Sequence, residues 1–180
     1  MQDEELWVFG YGSLLWNPGF AYIERRLATL HGFHRAFCMY SVHYRGSAAH
    51  PGLVLALEAR AGAECQGVGF RVAAEMVVET LAYLRERELI SAAYLEETHE
   101  ILFQDGRRAK AVCYVINRNH TQYAGGLSLG QQAEIIQKST GSAGTNAAYL
   151  ENTAVHLEEL GIVDHDIVAL DEMIKKAGPP

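Results

Sequence analysis

Apolar positions fall in short runs over the first two thirds of the chain and at helical spacing over the last third. Residues 6–9 form an apolar run that ends on Gly10-Tyr11-Gly12, which predicts a strand feeding a glycine-rich turn. Asn17-Pro18-Gly19 punctuates the chain next. Between Arg26 and Val72, β-rich stretches at residues 37–44, 52–57 and 67–72 are separated by Gly, Ser, His and Pro clusters, and they are expected to pair in one sheet or barrel. From residue 75 to 88 the pattern changes. Met76, Val77, Thr80, Leu81 and Leu84 recur at three- and four-residue steps, giving a helix with one apolar face and Ala74-Glu75 at its first turn. Residues 97–103 and 109–116 flank Asp105-Gly106, a hairpin signal because both residues tolerate the positive φ of a tight turn. Beyond Ser128, helical periodicity returns at residues 129–138, 146–160 and 164–176, interrupted by glycines.

Strands first and helices last predict an α+β fold, since a doubly wound parallel sheet would alternate the two throughout. A length of 180 residues suits one domain, and no repeat, low-complexity tract or linker divides residues 1–180. The composition, 49% hydrophobic and 21% charged, is that of a globular chain and not of a disordered one. The net charge of -7, from 15 Lys+Arg against 22 Asp+Glu, repels phosphate backbones, and basic residues cluster no further than pairs such as Arg25-Arg26 and Arg107-Arg108. Nucleic acid is therefore not an expected partner. The opening MQDEEL is acidic where a signal peptide is basic, and no apolar run is long enough to span a bilayer, so a cytoplasmic protein is expected. Cys38, Cys65 and Cys113 are odd in number, far apart and set among apolar neighbours, which reads as buried, reduced thiols.

The loop Gly10-Tyr11-Gly12-Ser13-Leu14 carries the first candidate chemistry. Two glycines after a strand let the backbone fold tightly and aim several N–H groups at an anion such as a carboxylate; a plain glycine turn is the alternative. A dinucleotide fingerprint would need glycine where Leu15 stands. Ser13 lacks the G-x-S-x-G elbow of a serine hydrolase. Glu88 closes the helix of residues 75–88, and the apolar residues after it would raise its pKa by desolvation; alternatively, Glu86 and Glu88 are solvated charges balanced by Arg85 and Arg87. The segment 141–146 lacks the Lys of a phosphate loop, and Thr145 or Asn146 as helix N-cap accounts for it. None of the eight histidines, His31 and His34 included, stands at a metal-ligand spacing, so no metal is expected.

Five segments together resemble the ChaC-type γ-glutamylcyclotransferases: VFGYGSLLWNPGF at residues 8–20, YRGSAAHPGLVLAL at 44–57, GVGFRV at 67–72, RELISAAY at 87–94 and GTNAAYL at 144–150. The first and fourth, in this order and separation, are the specific ones. The resemblance implies a small mixed β-barrel or sheet flanked by helices. It also implies that Gly10, Tyr11, Gly12, Ser13 and Leu14 hold a γ-glutamyl head group, that Glu88 is the catalytic acid/base, and that Tyr149 contacts the substrate. Two departures stand out: Ala92-Ala93 occupies positions where the family often has glycine, and Ser47 one where threonine is common.

The implied reaction is cyclisation of the glutamyl part of glutathione to 5-oxoproline, releasing cysteinylglycine, a carbon–nitrogen lyase reaction. The substrate's own α-amine is placed to close a five-membered ring on the γ-carbonyl, so neither metal nor other cofactor is called for. Two alternatives remain. One is a cyclotransferase for other γ-glutamyl amino acids or amines, and the other a γ-glutamyl-binding regulator without turnover.

Overall fold

In the computed structural model, which describes residues 5–179, the chain divides into two compact units, each assembled from two separate stretches. Residues 1–4 of the acidic opening lie outside the described residues. The first unit holds the described part of Met1–Arg35 together with Leu57–Asn117. Its strands are β1 (Leu6–Gly10), most of β2 (Glu24–Ser41), most of β3 (Gly52–Val72), β4 (Tyr94–Phe103) and β5 (Arg108–Ile116), closed as a barrel in the order β1-β3-β2-β4-β5 with an added β3–β5 pairing. A short 3-10 turn, Ala74–Met76, leads into the helix α1 (Val77–Glu88).

β1 runs inside the sheet, antiparallel to β3 and parallel to β5. That position explains its composition: Trp7, Val8 and Phe9 are all buried, as expected of a strand covered on both faces and lacking a free edge. Val8, Val72, Val112 and Tyr114 from the strands meet Leu14 and Leu84 in one apolar cluster. The helix is thereby seated by Leu84, and Leu81, Tyr83 and the Leu89 that follows its last residue pack on the same cluster. β4 and β5 form the hairpin expected around Asp105-Gly106, with Gly106 at φ 85.

Two differences from the sequence reading concern β2 and β3. The expected stretches 52–57 and 67–72 are a single strand, β3, which runs for 21 residues through Gly62, and β2 begins well before the expected stretch 37–44 and runs for 18 residues through Gly32. Gly32 and Gly62 take φ 81 and φ 77, so each strand bends at a glycine without ending there.

The second unit holds Ala36–Ala56 and the described part of Arg118–Pro180. Its helices α2 (Leu129–Lys138), α3 (Asn146–Glu159) and α4 (His165–Ala177) pack on one another. Ser128 and Gln131 form a capping box at the start of α2. Thr145 caps α3, its side chain accepting from the Ala148 N–H. Between α2 and α3 lies a minimal hairpin, β6 (Thr140–Gly141) with β7 (Gly144–Thr145). Asn146, fully buried, donates to the Leu53 carbonyl and accepts from the Leu53 N–H, both at 2.7 Å. No helix of the described residues is long and apolar enough to cross a membrane.

Candidate active site

The loop after β1 folds tightly because glycine is needed at its first position. A Cβ on Gly10 would stand 2.9 Å from the Phe70 ring and 3.2 Å from the Leu14 Cβ. The chain then makes a 3-10 turn, Ser13–Leu15, in which the Leu15 N–H donates to the Gly12 carbonyl. The first N–H groups of such a turn have no partner within the turn itself. Tyr11, Leu14 and Leu15 are buried, so the side chains of the loop mostly hold it in place. The Tyr11 hydroxyl donates to the Tyr114 carbonyl at 2.9 Å, and the buried Arg35 donates through Nε to the Tyr11 carbonyl at 2.6 Å.

Glu88 is the last residue of α1, with its side chain only 16% exposed. Burial pushes its carboxyl above the ordinary carboxylate range, and the Arg87 charge pulls it partly back. Glu86, on the same helix, is exposed. The two carboxylates that looked alike in sequence are thus in different surroundings, and only Glu88 has the desolvated one. Arg85, read from sequence as a partner of these glutamates, instead forms a forked pair with Glu96 at 2.8 and 2.9 Å.

Two residues enter that the sequence reading did not single out. Tyr114 is buried under the loop, donates from its hydroxyl to Glu96 at 3.2 Å, and is held in the phenol form by burial, by Glu96 and by the charge of Glu88. Arg87 stands with Nε 3.3 Å from a Glu88 oxygen and donates to Ser13 Oγ at 3.1 Å and to the Asn17 carbonyl at 2.7 Å. Its position next to Glu88 was the one signal available. Nothing along the chain marks Tyr114, which reads as one more apolar strand residue.

The first unit therefore brings together Gly10 to Leu14 and Glu88, with Arg87 touching both. Tyr149 belongs to the second unit. There it is buried, its hydroxyl accepts from the Leu55 N–H at 3.3 Å, and the Arg45 guanidinium lies 5.5 Å from its ring centre.

Both departures from the family pattern have local explanations. Ala92 takes φ 57, a left-handed conformation that glycine adopts without the Cβ cost. Ser47 accepts from the His50 N–H at 3.1 Å, a bond that a threonine hydroxyl makes equally well. All three cysteines are buried and none is in a disulfide, and burial pushes the Cys113 thiol up to about 12, far from a reactive thiolate. Among the described residues, no three His, Cys, Asp or Glu side chains gather as a metal-binding group.

A family model of ChaC-like proteins matches residues 6–177. The chain is 36% identical over 171 residues to the glutathione-specific γ-glutamylcyclotransferase of Escherichia coli K12, covering 95% of this chain and 73% of that protein. It is 34% identical over 162 residues to the human glutathione-specific γ-glutamylcyclotransferase 1, covering 88% of this chain and 72% of that one. The crystal structure of a glutathione-specific γ-glutamyl cyclotransferase from yeast superposes with a TM-score of 0.87 at 24% identity, covering 96% of each chain, which shows a shared fold.

Proposed function

The chain belongs to the ChaC-like protein family, and we propose that it converts glutathione to 5-oxoproline and cysteinylglycine with Glu88 as the group that moves the protons. It is an enzyme, a glutathione-specific γ-glutamylcyclotransferase, and its substrate is a small molecule. The observation that carries the site assignment is the pairing of a desolvated carboxylate at the end of α1 with the Gly10 to Leu14 loop through a single guanidinium. A carboxylate whose pKa is raised toward neutrality is suited to take and return a proton.

The steps balance without a co-reactant. Ionised Glu88 takes a proton from the α-ammonium, and the freed amine attacks the γ-carbonyl to form the ring nitrogen–carbon bond. As the bond to the cysteinyl nitrogen breaks, protonated Glu88 gives its proton to that nitrogen. Glu88 carries the second proton the same way, from the ring nitrogen to the leaving amine, so two protons leave the glutamyl nitrogen, two arrive on the leaving amine, and Glu88 ends ionised, as it began. Ring closure within one molecule removes the entropy cost of bringing a separate nucleophile to the carbonyl. Backbone N–H groups at the 3-10 turn are assigned to the α-carboxylate of the head group, in the manner of other anion-binding turns. For Tyr149, a substrate contact is proposed from the family resemblance alone.

Neither metal nor cofactor has a part in this scheme. The acidic charge makes nucleic acid an unsuitable partner, and buried thiols outside any disulfide suit the reducing cytoplasm.

Incubation with glutathione, γ-glutamyl-alanine, γ-glutamyl-lysine and an α-linked glutamyl peptide, followed by mass spectrometry, tests the substrate assignment. 5-Oxoproline is expected from glutathione and not from the α-linked peptide, whose amine lies too close along the chain to the scissile carbonyl to form the five-membered lactam. Faster release from γ-glutamyl-alanine or γ-glutamyl-lysine would instead assign the chain to other γ-glutamyl compounds, and no release from any would make it a binding protein.

A further inference from the structure

We propose that Arg87 is a positioning residue for the cyclisation, fastening the loop that receives the γ-glutamyl head group to the helix end that carries Glu88. The proposal rests on the assignment of Glu88 and of the loop made above. Its basis is the spread of the Arg87 contacts. Nη2 donates to Ser13 Oγ at 3.1 Å. Nη1 donates to the Asn17 carbonyl at 2.7 Å, the Pro18 carbonyl at 3.2 Å and the Tyr83 hydroxyl at 3.1 Å. Nε faces Glu88 Oε1 at 3.3 Å. The guanidinium therefore reaches both ends of the segment 13–18 while it adjoins the carboxylate.

A planar guanidinium with five donors in fixed directions can hold such a set, whereas an ammonium on a flexible stem is a point charge. The same neighbourhood is built for close approach. Gly19 takes φ 74, and a Cβ there would lie 1.9 Å from the Tyr83 hydroxyl oxygen. The segment thus passes directly over Tyr83, one helical turn before Arg87, and the guanidinium seals it there.

Arg87 has a second effect, through its charge. The groups facing Glu88 are Arg87 on its own helix and Tyr114 on β5, while the Tyr114 hydroxyl in turn faces Glu96 on β4, paired with Arg85. Among these, Arg87 is the cation that counters the desolvation of Glu88. Glu88 must be ionised to take the first proton, so kcat/KM falls as pH drops through its pKa. Loss of the Arg87 charge raises that pKa, and the acid limb of the profile then moves to higher pH.

Fork and charge separate experimentally. In Arg87→Gln, KM for glutathione is expected to rise about tenfold, because the charge-assisted bonds that fasten segment 13–18 are lost together, and the acid limb of kcat/KM to move to higher pH. In Arg87→Lys, the acid limb is expected to stay close to the parent's while KM remains raised, because the charge is restored and the fork is not. Ser13→Ala, which deletes one acceptor and leaves the backbone, is expected to raise KM by a smaller factor without moving the limb. Thermal melts of each variant establish that the fold is intact, and if Arg87→Gln does not fold, Arg87→Lys and Ser13→Ala carry the test. Parent-like KM and acid limb in the folded Arg87 variants, alongside an inactive Glu88→Gln, would overturn the role of Arg87 alone. Full activity in Glu88→Gln would remove the site assignment and this proposal with it.

Discussion

Glu88→Gln is expected to lower kcat for glutathione by about two orders of magnitude or more, the usual contribution of a positioned acid–base group. The amide has nearly the size and shape of the carboxylate, but it neither takes a proton from the α-ammonium nor returns one to the leaving nitrogen. Binding should survive, since the loop is held by Arg35, by the Tyr11–Tyr114 bond and by the packing of Leu14, none of which involves the Glu88 carboxylate. The expected pattern is a large fall in kcat with a glutathione affinity near that of the parent. Glu86→Gln, at an exposed position of the same helix, is expected to change little. Equal losses in the two variants would mean that the fall reports charge or helix stability and not proton transfer.

The largest effect on stability is expected at Asn146. Its amide satisfies both backbone groups of Leu53, with no exposure to water. Asn146→Ala leaves a buried N–H and a buried carbonyl unpaired, each costing about 1–3 kcal/mol, so a total loss of about 2–6 kcal/mol is expected. For a chain of this size that corresponds to a fall in Tm of roughly 4–24 °C. Urea denaturation and a thermal melt measure it. A loss below about 1 kcal/mol would show that water or a backbone shift replaces the lost bonds.

What was legible in the sequence was what repeats locally. The apolar spacing that ends at Glu88 gave α1, Asp105-Gly106 gave the β4–β5 hairpin, and periodicity with caps gave the three C-terminal helices nearly to the residue. Glycines misled where they bend a strand. Gly62 looks like a break between residues 57 and 67, because a positive φ ends most strands unless the flanking residues continue to pair. The β6–β7 hairpin has two residues a side, too short for any alternation to register.

For the proposed site, adjacency in motifs pointed to the loop and to Glu88, and the family resemblance was needed to favour Glu88 over Glu86. The physical reason for that choice, unequal desolvation, depends on packing that no local pattern encodes. The bonds that organise the site and its surroundings are long-range: Arg87 reaches Ser13 across 74 positions, and Asn146 reaches Leu53 across 93. The unit boundaries are equally hidden, since each unit joins two separate stretches and no linker composition marks a division.

In the proposed reaction the glutamyl amine, and not water, displaces cysteinylglycine. Turnover of glutathione in oxygen-18 water, with products weighed by mass spectrometry, tests it most directly. Cyclisation is expected to give unlabelled 5-oxoproline in amounts equal to the cysteinylglycine released, with no glutamate formed. Glutamate carrying one oxygen-18 atom in its γ-carboxylate would show that water attacked the γ-carbonyl, and would contradict it.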